Sequence, residues 1–597
     1  GWLIGRNYRL FRYMLACNRE GALPLLFNGG IFTTDNNGRI KGNNNDELPT
    51  FEGEPITPDF RRWMGCHFMS QNQRWLGWPA LANGDAELLA PSIAFYRDRA
   101  AVAASRAKTN GADGVVYPEP LDVWGLCCVG PRPDGLCGAE HLTYHFSMML
   151  EHAWMALCAH QVLGTSLRDD LAWIEGTVFF YDSFYRAQCR QRTGRELGAD
   201  GKLVVYPACG LEYAGGATNP IEVVAALRRI TAGLLALPDL TTASRERLER
   251  VQGILPELPT GQRKGVRSLL PAQSFEREYN KWEPIEMYAA WPYRLVGIVN
   301  PDTLQLARDS WETVPADRAR LCKQDYSWMA NLANMAALAW PAKAKERAVY
   351  KMANNAAPQA RFPAFFGPGH DWLPDHNWGG AGMTGVQEML LAPEPGPHGK
   401  LNLFAGWPPE WDVDFRLHAP GQTVVEGVLR GGRLESLRIT PETRAKDVIN
   451  WLGKTPDYQP LPPPLSQGKP ATASSIHNEP GYDPARAFDG DIKTRWASAF
   501  EARSGWLAVD LGDEQTITSV WLSEIEWPET REFAIEYQVD GQWKELARGT
   551  TIGAAKEITF APVKARYVRL NVFRAERPIN INEFQIFGPA RHRPAGG

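Results

Sequence analysis

No stretch of this sequence is apolar over a membrane-spanning length, which argues against a helical membrane span within it. No cluster of Lys and Arg occurs, and the net charge of -4 with an isoelectric point near 6.3 speaks against nucleic acid or anionic lipid as a partner. The nine cysteines form an odd set with no paired Cys-x-x-Cys units, and no His stands at zinc spacing. Cys127, Cys128 and Cys137 lie close together, whereas Cys158 and Cys189 fall on helical patterns and read as small core residues. This usage leaves the redox compartment open. Self-similarity at a fixed period is also missing, which disfavours a solenoid of helix pairs.

What is abundant is aromatic surface. The 597 residues include 22 Trp, many of them in loops rich in Gly, Pro and Asn. Such a length exceeds one core and predicts two to four domains. The pattern is already under way at Gly1, so the chain reads as a fragment whose start, with any secretion signal, lies upstream. Residues 370–391, HDWLPDHNWGGAGMTGVQEMLL, are the most informative stretch. Two Trp, two His and two Asp read as a glycine-loosened loop that passes into a helix carrying Met383, Val386, Met389 and Leu390. Aromatic planes beside carboxylates suit a sugar: flat C–H faces stack, hydroxyls pair, and an acid can activate water.

Helical periodicity dominates residues 6–392. Leu142, Phe146, Met149, Leu150, Ala153 and Leu157 form one apolar stripe over 141–163, and similar stripes run through 86–106, 171–192, 221–237, 301–314 and 329–352. Helix pairs separated by long loops predict an all-α (α/α)6 toroid over 1–400, with the loops meeting above a central cleft. A small β domain is expected at 401–458, where 423–429 and 433–440 flank Gly431-Gly432 as a hairpin. A Pro-rich linker fills 459–470. Residues 471–590 are nearly all β and predict a sandwich.

Within that sandwich, the run from Ala487 through Asp489-Gly490-Asp491 to Thr494-Arg495-Trp496, then Gly505-Trp506, Tyr567-Val568-Arg569-Leu570 and Asn582-Glu583-Phe584, resembles the coagulation factor V/VIII C-type (discoidin) jelly roll. That group includes carbohydrate-binding module family 32. The resemblance implies a structural Ca²⁺ near Asp489, Asp491, Thr494 and Glu583, completed by backbone carbonyls. Hard oxygens on a tight Gly turn are what Ca²⁺ prefers. An ordinary turn with Asx hydrogen bonds is the alternative.

The helical region resembles glycoside hydrolase family 95, the inverting α-L-fucosidases. The resemblance rests on Leu23-Pro24-Leu25-Leu26-Phe27-Asn28-Gly29, on Met69-Ser70-Gln71-Asn72-Gln73-Arg74 with Trp78-Pro79, on Tyr206-Pro207-Ala208-Cys209-Gly210-Leu211-Glu212, and on Asp375-His376-Asn377-Trp378-Gly379-Gly380. It implies Glu212 as general acid, Asp375 as general base and Asn72 as a holder of the attacking water, with Gln71 a substitute for that amide. Arg74, Asp122, Trp124, Glu286, His370, His376, Asn377 and Trp378 are implied as substrate contacts, with Asp371, Glu119 and Glu283 as further candidates. Trp291-Pro292-Tyr293-Arg294 stands where the family has a His-Arg-His segment that helps read the sugar.

The resulting expectation is an exo-acting hydrolase that inverts configuration at an α-L-fucosyl or related residue such as L-galactosyl, secreted or periplasmic, with no cofactor for its chemistry. A non-catalytic glycan-binding protein on the same fold and a polysaccharide lyase are the rivals.

Overall fold

A computed structural model describes residues 1–30, 50–51, 54–55, 68–279, 283–315, 325–354, 375–525 and 528–589. The chain divides into two compact units: Gly1–Pro259 with Leu270–Ala307 and Leu321–Asp457, and Thr260–Leu269 with Arg308–Arg320 and Tyr458–Gly597.

The first unit is helical with β appendages. Its helices are α1 (Trp2–Ala16), α2 (Ser70–Asn83), α3 (Ala86–Asp98), α4 (Ala100–Thr109), α5 (Ser147–Leu163), α6 (Leu171–Thr193), α7 (Ile221–Leu235), α8 (Thr242–Ile254), the first residues of α9 (Leu304–Glu312, whose residues from Arg308 on belong to the second unit), α10 (Asn331–Ala337), α11 (Pro341–Ala353) and α12 (His376–Leu390). Some are buried all round and others on one face only. α12 is wholly buried and nearly all of α2 and α5 is. α8 and α11 present only a stripe, for example Leu248 and Val251, or Ala344, Ala348 and Met352. α2 packs against both α5 and α12, α5 against α7, and α12 against α10 and α11.

The stripe at 86–106 is two helices rather than one, meeting at Arg99, and 329–352 is broken between Ala337 and Pro341, where Ala339 takes a left-handed φ of 48°. Proline suits a first helical turn but not an interior, so the second helix restarts there. The glycines of the 370–391 stretch also differ from expectation: helix α12 begins at His376, so they lie inside it. A Cβ at Gly380 would meet the Trp75 carbonyl at 2.0 Å, and one at Gly385 would meet Leu332 at 2.3 Å. Glycine here lets α12 lie against α2 and α10 instead of loosening a loop.

Residues 413–440 form an antiparallel meander, Val413–Ala419, Thr423–Arg430 and Arg433–Thr440, within this same unit.

The second unit is a sandwich. Its main sheet runs Ala471–Ala473, Gly505–Ser523, Lys556–Ala575, Thr530–Val539, Gln542–Gly549, with Glu583–Phe587 also paired to Gly505–Ser523. Alternation puts Leu507, Val509, Leu511, Val568 and Leu570 into a core with Phe488, Trp496 and Phe584. Leu465, in the middle of the expected linker, packs on that core and its N–H donates to the Ile586 carbonyl. The hairpin Thr260–Arg263/Val266–Leu269 belongs to this unit as well; Gln262 donates to Thr518 and Ser519 hydroxyls at 3.1 Å.

Candidate active site and glycan-binding loops

The first turn of α2 is lined with polar groups that have left water. Glu119, 1 % exposed, accepts from Ser70 Oγ at 2.5 Å and from the Gln71 N–H at 2.6 Å. Burial, with Glu212 nearby, pushes the Glu119 carboxyl up to about 8. Gln71 Nε2 donates to Glu283 at 3.1 Å, and Arg74 reaches Glu283 at 3.0 Å and Glu151 at 2.9 Å. Tyr288 OH donates to Glu283 at 3.0 Å, and Trp78 Nε1 closes the network on Glu151 at 2.7 Å. Burial pushes the Glu283 carboxyl up while Arg74 holds it down.

Glu212 sits on the turn between Ala208–Gly210 and Ala214–Ala217. Leu211 and Glu212 both have left-handed backbone, φ 43° and 54°. Non-glycine residues resist that conformation by roughly 1–2 kcal/mol each, so two in succession mark a turn imposed by its surroundings. Glu212 is partly exposed while its neighbours Leu211 and Tyr213 are buried.

Asp375 is fully buried and caps α12, accepting from the N–H groups of Asn377 at 3.0 Å and Trp378 at 3.4 Å. The Lys351 ammonium lies in the same field as Asp325, 3.4 Å away, and Asp375; burial lowers its pKa against both acids. Trp378 Nε1 donates to the Lys351 carbonyl at 2.6 Å. The segment is tied to α2 through residues 25–29. His376 N–H donates to Phe27 O at 2.8 Å and its Nε2 pairs with Gly29 O at 2.9 Å. Gln73 of α2 accepts from Phe27 N at 2.7 Å and donates to Leu25 O at 2.7 Å. The start of α2 therefore touches both the Glu119–Glu212 side and the loop that holds the Asp375 cap.

The other expected residues divide. Gln71 and Arg74 enter this network; Asn72, 9 % exposed, sits on the same turn and joins none of the contacts given above. The Asn377 amide is buried and its side-chain atoms meet no hydrogen-bond partner among the described residues. Glu286 is buried in the 3-10 turn Ile285–Ala289. Asp122 turns back on its own loop, accepting from Trp124 N at 2.9 Å and Leu126 N at 2.8 Å, and the Trp124 indole is 70 % exposed. Both bonds fall on one carboxylate oxygen, the Asx-turn arrangement of a short Asp in a loop. His370 and Asp371 lie outside the described residues. Glu151 and Lys351 were missed by sequence reasoning; both are charges on the buried face of a helix, where a charge signals a paired group.

In the second unit the oxygens expected around a cation are gathered. Thr494 Oγ1 lies 2.8 Å from Asp489 Oδ2, 3.0 Å from Asp491 O and 3.2 Å from Arg486 O. Glu583 accepts from Gly490 N at 2.8 Å, and burial with Asp489 beside it pushes its carboxyl up to about 7. Among the described residues no three His, Cys, Asp or Glu side chains converge on one point. A shell here would draw on carbonyls and the Thr494 hydroxyl, a hard-oxygen set that fits Ca²⁺. At the loop end of the sandwich, His477, Tyr482, Arg495, Phe500, Arg577 and Asn580 line a hollow of about 200 Å³. Phe500 is 64 % exposed, and Arg577 pairs with Glu529 at 3.6 Å. An exposed ring beside hydrogen-bonding side chains is the composition of a small sugar site.

Comparison with known proteins concerns this unit. Residues 470–584 match the model of the F5/8 type C domain. Chitosan-binding module 1 of the chitosanase/glucanase from Paenibacillus sp. IK-5 is 34 % identical, the match covering 21 % of this chain and 98 % of that one, with a TM-score of 0.20. Module 2 of the same enzyme, in complex with chitotriose, is 30 % identical over 21 % of this chain and 99 % of that one, TM-score 0.20. The GH29 fucosidase of Ruminococcus gnavus, in complex with fucose, is 23 % identical over 21 % of this chain and 26 % of that one, TM-score 0.19. That match, too, falls on the C-terminal module and leaves the helical unit outside it. No curated protein matches the chain significantly. Residues 470–584 are thus an F5/8 type C domain.

Proposed function

We propose that the helical unit is an (α/α)6 toroid of the glycoside hydrolase family 95 type, an inverting exo-hydrolase of α-L-fucosyl or related residues such as L-galactosyl. The F5/8 type C module then keeps it on its glycan, raising local substrate concentration without sharing the chemistry. The observation that carries this reading is the start of α2, where Ser70 and Gln71 hold Glu119 beside Glu212 while Gln73 holds the loop that docks the Asp375 segment.

Glu212 is assigned as general acid, giving its proton to the departing glycosidic oxygen. Asp375 is assigned as general base, drawing a proton from the water that attacks the opposite face of the sugar. Inverting pairs stand roughly 6.5–9.5 Å apart to admit that water. Glu119, whose carboxyl is pushed up to about 8, is neutral at neutral pH and can sit beside Glu212 without two adjacent negative charges. Asn72 is assigned as the amide that orients the water, with Gln71, tethered to Glu283, as its substitute. In the module, Asp489, Thr494, Glu583 and the carbonyls of Arg486 and Asp491 would hold a structural Ca²⁺, which would fix the loops around the His477–Arg577 hollow. A secreted or periplasmic setting follows from this reading.

Released sugar is to be assayed on fucosylated, galactosylated and rhamnosylated glycans, with proton NMR of the first-formed anomer. Glu212→Gln is expected to abolish turnover of natural glycans while the fold and ligand binding persist. Full activity in that variant overturns the acid assignment. An unsaturated product absorbing in the ultraviolet identifies a lyase, and wild-type binding without turnover identifies a glycan-binding protein.

A further inference from the structure

The outward face of the main sheet in the C-terminal module carries aromatic rings where solvent-facing alternation calls for short polar groups. Alternation sends Leu507, Val509 and Leu511 inward and Trp506, Ala508 and Asp510 outward. The register sets Asn571, Arg569 and Tyr567 opposite those three, with Glu536 beside Arg569 on the next strand and Trp543 opposite Gln538 on the edge strand. Trp506 and Trp543 are partly exposed and Tyr567 is 36 % exposed. The small Ala508 between them leaves a hollow of about 400 Å³. From the Trp506 strand to the Trp543 strand is three strand spacings, ~14 Å, enough for more than one pyranose ring.

The charged groups on this face neutralise one another in place. Arg566 grips Asp510 through two bonds at 2.8 and 2.9 Å, and the Asp510 carboxyl is held down to about 2 by that guanidinium. Arg569 donates to Glu536 at 2.5 Å while its guanidinium lies 4.3 Å above the Trp543 ring. The lining therefore offers fixed donors and acceptors with no net charge, between rings that can stack on C–H faces. A protein-docking face would instead be a continuous apolar patch, and a polyanion or polycation would meet no complementary field.

We infer that this sheet face is a second binding site, separate from the loop hollow at His477 and Arg577, which takes a segment of neutral polysaccharide lying across the strands. The inference rests on the glycan-binding reading of the module and is independent of the hydrolytic one. Its test is isothermal titration of the full chain with chitotriose, with longer N-acetylated chitin oligomers, and with galactomannan and xyloglucan. Trp506→Ala and Trp543→Ala are each compared with the loop variant Arg577→Ala; Tyr567→Ser serves as a further surface variant if a Trp variant melts early. Each aromatic variant is expected to weaken binding of the long glycan by about tenfold, the size of one stacking contact, while leaving the loop-site component unchanged. Arg577→Ala is expected to do the reverse. Wild-type affinity for every glycan in two folded aromatic variants overturns the inference, as does loss of a protein partner or of self-association in place of glycan affinity. Loss of all glycan binding in Arg577→Ala alone overturns the second site while sparing the glycan-binding reading; no binding by the wild-type chain to any of the four glycans overturns both.

Discussion

Arg74 Nη2 meets Glu283 Oε1 at 3.0 Å with both side chains withdrawn from water, and the same guanidinium is shared with Glu151 at 2.9 Å. Removing Glu283 leaves the buried donors of Arg74, Gln71 and Tyr288 without their shared acceptor. Glu283→Ala is expected to cost about 3–5 kcal/mol in urea unfolding, and Glu283→Gln less, because its amide oxygen still accepts from Arg74. A loss below about 1 kcal/mol in Glu283→Ala would contradict the buried network.

Glu119 gives the helical unit a pH signature. Its carboxyl goes from an ordinary 4.5 up to about 8, so the folded chain keeps a proton that the unfolded chain sheds. This contribution is full below the ordinary value and falls as pH climbs toward 8, by at most ~1.4 kcal/mol per unit. Glu119→Gln removes that slope, so wild type should lose stability relative to the variant between pH 5 and pH 8, by roughly that amount per unit. Denaturant titrations at four pH values across the window measure it.

Asp375 combines an N-cap with the proposed base, and two substitutions separate the roles. Asparagine retains an acceptor oxygen for the N–H groups of Asn377 and Trp378, whereas alanine does not. Asp375→Ala should cost about 0.5–2 kcal/mol through the cap, or more because the site is buried. Asp375→Asn should melt closer to wild type yet release no sugar. Sugar release by the asparagine variant at the wild-type rate sinks the base assignment.

Calcium should stabilise the C-terminal module, and chelation should lower the calorimetric transition assigned to it. Because the Glu583 carboxyl is pushed up to about 7, a proton competes with the cation, and calcium affinity should fall as pH drops through 7. Asp489→Ala is expected to abolish the calcium response. An unchanged transition with and without chelator refutes the site.

The sequence by itself determined the division between helical and β regions and the identity of the module. Periodicities of 3.6 and 2 are local, and the Asp489-Gly490-Asp491 turn with Trp496 and Glu583 is a compact signature whose parts meet in the structure. It also pointed to the Gln71–Arg74 segment. It did not reveal that the glycines after Asp375 belong inside a helix, since the reasons for them, such as the Trp75 carbonyl some 300 residues away in the chain and the Leu332 side chain, come from other helices. Nor did it reveal Glu151 and Lys351, because a charge in a helix reads as a solvated face until the partners that bury it are known. Tertiary structure alone decided which carboxyls shed water and which, like Asp122, accept from N–H groups of their own loop. The physical reason is that burial and electrostatic coupling are set by distances in space, whereas sequence patterns report only the spacing of neighbours along the chain.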